Sequence, residues 1–103
     1  MRVSLRVTGG LVGAIRGVDL DSLGMPGEDG RMLEDLVTRS GIRGAIEAFD
    51  ESLRDVPEVA ITIESEGTTD SLRCDESQVP REARPLVQFL LARAGLISPE
   101  ERR

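Results

Sequence analysis

A six-residue segment near the middle of the chain, residues 59–64, constrains the fold most, because β-branched apolar residues alternate there with small or polar ones. The apolar side chains, which would share one side of a strand, are Val59, Ile61 and Ile63. Residues 71–75 alternate in the same way, and the polar residues 65–70 separate the two segments. This pattern predicts an antiparallel hairpin whose loop is longer than the two-residue minimum. A hairpin with one apolar face is not stable alone in water, so other segments must cover it.

A second hairpin is predicted at the start of the chain. Residues 2–8 alternate cleanly, Gly9 and Gly10 follow as a turn signal, and residues 14–19 are interpreted as the return strand. The paired glycines do not indicate a phosphate-binding loop, because that site needs a helix directly after the loop and a lysine, and the chain has no lysine.

Two amphipathic helices are predicted to cover the apolar face of these hairpins. The first spans about residues 28–40, and Gly41 follows as a left-handed cap. Its apolar stripe is Met32, Leu33, Leu36 and Val37. The second begins near Arg84, carries Pro85 in its first turn and ends at Gly95.

These elements together predict an α+β fold. Two β-hairpins form a four-stranded antiparallel sheet, and two helices pack on one face, or three if residues 40–55 form a short helix rather than a partly ordered loop. The other face of the sheet is expected to be polar and to carry cross-strand charge pairs. We expect one domain, residues 1–95, and a flexible C-terminal tail, residues 96–103.

The composition argues against several classes of function. The chain has 103 residues and a net charge of −6, and it lacks histidine and lysine, so the usual zinc ligand and the commonest general base are absent. Its basic residues are scattered arginines, which argues against nucleic-acid binding. There is no basic leader and no long apolar run, so we expect a cytoplasmic protein that binds no membrane, no metal and no cofactor. The single cysteine, Cys74, is expected to be buried as a small apolar side chain.

Paired carboxylates are the remaining candidates for catalysis. They are Asp19 and Asp21, Glu34 and Asp35, Glu64 and Glu66, and Asp75 and Glu76. None has the apolar neighbours that would adapt it to general acid–base work, and an enzyme would need a deep pocket that holds two of them. The residues therefore predict a small binding or regulatory protein rather than an enzyme.

Two apolar residues, Leu23 and Met25, lie in a Gly- and Pro-rich connection between the first hairpin and the first helix. In one interpretation they pack beneath the helix as a lid. In the other, one of them projects and fills a pocket on a partner.

Four motifs follow one another in a characteristic order: TGGLVG at 8–13, VDLDSLGMP at 18–26, VAITIE at 59–64 and RPLVQFL at 84–90. Together they resemble emfourin-like proteins, which are small proteinaceous inhibitors of thermolysin-family (protealysin-like) metallopeptidases. The resemblance extends from residue 1 to about residue 93. Leu11 and Phe89 stand where that family usually has an aromatic residue and a tryptophan.

The resemblance implies a monomeric, non-covalent inhibitor that occludes the substrate cleft of a thermolysin-family metallopeptidase. Such enzymes hold extended peptide and take an apolar side chain into a pocket beside zinc, so an inhibitor needs a stiff insert with an apolar anchor. We expect the contacts to come from the two loops that border the first hairpin, with Leu11, Leu23 and Met25 as anchors. The expected contact residues are Gly9, Gly10, Leu11, Val12, Leu23, Gly24, Met25 and Pro26. The alternative is a small acidic, non-inhibitory protein-binding or regulatory module.

Overall fold

The computed structural model describes residues 1–8, 15–48 and 57–97. Its strands, in chain order, are β1 (Arg2–Thr8), β2 (Ile15–Asp21), β3 (Ala45–Ala48), β4 (Glu58–Ser65), β5 (Thr68–Asp75) and β6 (Gly95–Ile97). Its α-helices are α1 (Asp29–Ser40) and α2 (Arg84–Leu91). Short 3-10 turns lie at Ser22–Gly24, Glu76–Gln78 and Arg81–Ala83.

The strands form one mixed sheet in the order β3-β5-β4-β1-β2-β6. Antiparallel pairing joins β1 to β2 and to β4, β4 to β5, and β2 to β6. The outer strand β3 runs parallel to β5. The predicted α+β class is therefore confirmed, whereas the prediction of a four-stranded, wholly antiparallel sheet is wrong. Within the described residues the sheet has six strands and includes a parallel pair.

The core lies between one face of this sheet and the inner sides of the two helices. The strands bury alternate residues, as a period of two requires. The buried apolar side chains of the strands are Val3, Leu5, Val59, Ile61, Ile63, Leu72 and Cys74. The buried apolar residues of the helices are Leu33, Val37, Leu86, Val87 and Leu90. Cys74 is free and fully buried, as predicted.

The first helix agrees closely with its prediction. It ends at Ser40, and Gly41 follows in the left-handed region with φ of 71°, where a side chain would be strained. Met32 departs from the predicted stripe, because its side chain is 52% exposed whereas that of Leu33 is fully buried. Successive helical residues point about 100° apart, so the buried side of α1 includes Leu33 and Val37 but not Met32.

The turn between β4 and β5 is tighter than predicted. Ser65 pairs with Thr68, so the loop has only two residues, Glu66 and Gly67. Both have positive φ, 50° and 80°, as in the type I′ turns that match the twist of a hairpin. The polar residues 68–70 that suggested a longer loop belong to β5 instead, because β-branched threonine is well suited to a strand.

The structure settles the alternatives left open for residues 42–48. Instead of a short helix, Ala45–Ala48 forms the edge strand β3. Its entry is held by two hydrogen bonds, from Gly44 N to Asp70 Oδ1 (2.7 Å) and from Ser71 N to the Gly44 carbonyl (2.9 Å). These partners lie 26 and 27 positions along the chain, so helical spacing within the segment could not have indicated them. Residues 49–56 lie outside the described part.

The second helix keeps Pro85 in its first turn, as predicted, but ends at Leu91, four residues before Gly95. Gly95 opens β6, which pairs with β2 through Ile97. The first two residues of the predicted flexible tail, Leu96 and Ile97, therefore extend the sheet, because the exposed edge of β2 offers unpaired backbone groups. Residues 98–103 lie outside the described part.

The sheet face turned away from the helices carries cross-strand ion pairs, as predicted. Arg6 Nη2 lies 2.9 Å from Asp19 Oδ2 and joins β1 to β2. Arg73 Nη2 lies 2.7 Å from Glu58 Oε1 and joins β5 to β4. Pairs as exposed as these contribute at most about 1 kcal/mol each.

The Arg6–Asp19 pair predicts a small dependence of stability on pH. The hydrogen bond from Arg6, together with its charge, holds the pKa of Asp19 below its ordinary value, against the opposing effect of partial burial. A carboxyl group with a lowered pKa stabilises the fold above its unfolded pKa of about 3.9, and the contribution is lost as the pH falls through the folded value. We expect Asp19→Asn to lower the free energy of unfolding by less than about 1 kcal/mol at neutral pH. Denaturant titrations at pH 7 and at about pH 2 check this, since the two proteins should converge in acid.

Candidate functional site

The turn that follows β2 presents the most exposed large apolar side chain of the described residues. Leu23, in the 3-10 turn Ser22–Gly24, is 87% exposed. Met25, two residues later, is half-buried and packs against the core, and Pro26 is exposed. The two interpretations of this connection therefore apply to different residues, because Met25 packs inward and Leu23 projects outward.

The turn that carries Leu23 is fixed by hydrogen bonds on both sides. Leu23 N donates to Asp21 Oδ1 (3.0 Å), and Ser22 N donates to the Met1 carbonyl (2.9 Å), which ties the turn to the start of β1. The Ser22 hydroxyl donates to Glu34 Oε2 (2.6 Å), which ties it to α1. Leu23 is thus an apolar side chain on a stiff support, which lowers the entropy cost of binding.

Close backbone packing provides a further constraint on the same turn. A Cβ atom at Gly30, in the first turn of α1, would lie 2.3 Å from the carbonyl oxygen of Ser22. Only glycine fits at this distance, so α1 and the turn pack backbone against backbone. Met32 lies two residues before Glu34, and hence about 200° around the helix from the side that contacts Ser22. Leu23 and Met32 are therefore separate exposed residues and not one patch.

The predicted contact residues are divided between the two ends of the first hairpin. Gly9, Gly10, Leu11 and Val12 lie outside the described residues. They connect Thr8 to β2, at the hairpin end where Val7 pairs with Arg16. Leu23, Gly24, Met25 and Pro26 follow Asp21, which pairs with Arg2 at the opposite end. A seven-residue strand is about 20 Å long, so the two ends of the hairpin are about that far apart. Of the predicted contact residues, only the second group is at the end where Leu23 projects.

An open groove of about 420 Å³ lies beside Leu23, between its turn and the β4–β5 turn. Arg2 lies at its base, since it pairs with Asp21 on one side and with Glu64 on the other. The far wall is formed by Glu66, Gly67 and Thr68. Sequence reasoning did not include this wall in the site. In the sequence, the far wall is visible only as Glu66-Gly67 between two alternating segments. That pair indicates a turn but does not indicate binding.

A comparison with protein families covers almost all of these elements. The model of the Emfourin family matches residues 5–91, from within β1 to the end of α2. The chain belongs to the Emfourin family. No curated protein and no solved structure matches the chain. The predicted resemblance is thereby confirmed.

Both walls of the groove fall inside the Emfourin match, whereas β6 lies beyond it. Emfourin is a family of inhibitors and not of enzymes. Two carboxylates line the groove, those of Glu64 and Glu66, and both residues are exposed.

Two further properties of this Emfourin chain concern metals and membranes, within the residues that the structure describes. No group of three or more acidic or cysteine side chains there is arranged to hold a metal ion. None of the described helices is long and apolar enough to cross a membrane.

Proposed function

We propose that this Emfourin chain inhibits thermolysin-like zinc metallopeptidases by non-covalent occlusion of the substrate cleft. Family membership supports the inhibitory role. One observation supports the mode of action: an apolar side chain, Leu23, is 87% exposed on a turn whose backbone is held by β1 and α1. Thermolysin-like enzymes take an apolar side chain into a pocket beside zinc, and Leu23 supplies such a side chain at low entropic cost.

The conformation of the turn also supports a mode of inhibition in which the peptidase does not cleave the inhibitor. Residues Ser22–Gly24 form a 3-10 turn, in which the chain is wound rather than extended. A peptidase cleft binds its substrate as an extended segment. Extending this turn would break the hydrogen bonds from Leu23 N to Asp21 and from Ser22 to Glu34. The turn can therefore fill the pocket without presenting a scissile bond in the geometry that cleavage requires.

Inhibition kinetics test this proposal. We expect the purified protein to slow several thermolysin-like peptidases in proportion to its concentration, in competition with a peptide substrate and with full recovery on dilution. A serine peptidase serves as the control and should be unaffected. Added Zn²⁺ should not restore activity, because the chain has no histidine and its single cysteine is buried.

The opposite result would favour the alternative function. If no thermolysin-like peptidase is slowed at protein concentrations well above those of the enzyme, the chain is a non-inhibitory binding module. Mass spectrometry of the inhibitor after long incubation provides a second check, since cleavage between residues 22 and 26 would contradict occlusion by a rigid turn.

A further inference from the structure

The surface around Leu23 is too small by itself to hold a stable complex. Specific interfaces bury about 800 Å² on each partner, several times what one leucine and a short turn provide. Residues 9–12 lie outside the described part and follow Thr8, which is at the end of β1 opposite Arg2 and Leu23. The described surface that adjoins Leu23 is instead the groove, with the β4–β5 turn as its far wall. A partner seated on Leu23 therefore meets this turn next.

We propose that the β4–β5 turn is the second half of the peptidase-binding surface, and that the groove takes a basic segment from the rim of the peptidase's substrate cleft. This inference rests on the proposed inhibitory function. In this arrangement Glu64, Glu66 and Thr68 of the groove contact the peptidase.

The spacing of the strands sets the width of the groove. The Leu23 turn continues from β2, and the other wall continues from β4, and both strands are neighbours of β1. Adjacent strands lie about 4.8 Å apart, so the walls are about 10 Å apart, which suits a single polypeptide segment. The walls are also stiff, because one is hydrogen-bonded to α1 and the other is a two-residue type I′ turn.

The charges of the groove indicate the chemistry of its occupant. Three of its charged side chains are carboxylates, Asp21, Glu64 and Glu66, and one is a guanidinium, Arg2. Arg2 stands between Asp21 and Glu64 in the strand register, so one acidic residue flanks it on each neighbouring strand. Glu66 is exposed at the tip of the turn and leaves the mouth of the groove negative. A lysine or arginine on the partner would complement it.

Charge reversal at the turn tests this assignment against a matched control. Glu66→Arg changes the net charge by +2, and so does Glu82→Arg, at an exposed residue outside the groove. We expect Glu66→Arg to raise the inhibition constant about tenfold or more against a peptidase that the wild type inhibits, and Glu82→Arg to change it less than about twofold. Glu66→Asn, which also tolerates a positive φ, should weaken inhibition less and reduce its dependence on salt.

The other possible outcomes would contradict the groove contact, the basic occupant or the inhibitory function. If Glu66→Arg and Glu82→Arg raise the inhibition constant by the same factor, only long-range electrostatic attraction is involved, and the groove does not contact the peptidase. If Glu66→Arg inhibits like the wild type while a Leu23 variant does not, the groove assignment fails and the inhibitory function stands. If Glu66→Asn shows an unchanged salt dependence, the occupant is not basic. If the wild type inhibits no thermolysin-like peptidase, both proposals fail.

Discussion

Replacing Leu23 with aspartate is expected to raise the inhibition constant by about 100-fold or more while leaving the fold intact. Anchors that fill a pocket at the centre of an interface typically contribute about 2–4 kcal/mol, and a buried, unpaired carboxylate adds a desolvation penalty. Because Leu23 is 87% exposed in the free protein, its replacement should change the free energy of unfolding by no more than about 0.5 kcal/mol. Inhibition kinetics and thermal denaturation of the same preparation separate the two effects.

Met32 supplies the matched control for this experiment. It is the other large apolar residue exposed among the described residues, and it lies on the side of α1 away from the turn. Met32→Asp should therefore inhibit like the wild type. Equal losses in the two variants would show that inhibition follows general surface hydrophobicity and not the turn. Met25 is unsuitable for this test, because its half-buried side chain packs on the core and its replacement would also affect folding.

Gly30→Ala is expected to destabilise the protein by about 1–3 kcal/mol, in the range of overpacked sites. Helix propensity alone predicts the opposite sign, since alanine is favoured over glycine in a helix by about 1 kcal/mol. The steric clash outweighs the helix propensity, because the new Cβ would lie 2.3 Å from the Ser22 carbonyl oxygen. Neither backbone can move away without breaking the hydrogen bond between Ser22 and Glu34. For a domain of this size the melting temperature should fall by about 4–8 °C for each kcal/mol.

Gly24→Ala is the matched control for the Gly30 variant. No atom lies within 4 Å of a Cβ placed at Gly24, so the same substitution six residues earlier should be close to neutral. A Gly30→Ala protein as stable as the wild type would show that α1 and the turn are not packed as closely as described. That result would also contradict the conclusion that the turn carrying Leu23 is rigid.

The strands that carry the core could be predicted from sequence because burial of one face produces an alternating pattern in contiguous residues. In β1, in β4 and in the second half of β5, apolar residues recur at every second position, and the buried side chains, such as Leu5, Ile61 and Leu72, follow that period. The cap at Gly41 and the position of Pro85 are equally local, since each depends on backbone geometry that only one residue type satisfies well.

The candidate site could be predicted only in part. An apolar residue in a loop is a detectable signal, and it pointed to Leu23 and Met25 together. Which of the two projects depends on how α1 packs on the turn, through Gly30 and Glu34, and no periodicity records that contact. The groove escaped sequence reasoning for the same reason, because residues 21–23 and 64–68 become neighbours only when β1 pairs on both sides.

By itself, then, the sequence determined the α+β class, the two hairpins, the two helices and the family, because period-two and helical patterns, caps and ordered motifs are properties of contiguous residues. Only the tertiary structure decided that β3 pairs parallel to β5, that β6 extends the sheet, and that Leu23 projects beside a groove. Those features arise from contacts between residues that are distant in the chain. The free energy of such contacts cannot be inferred from the pattern of neighbouring residues.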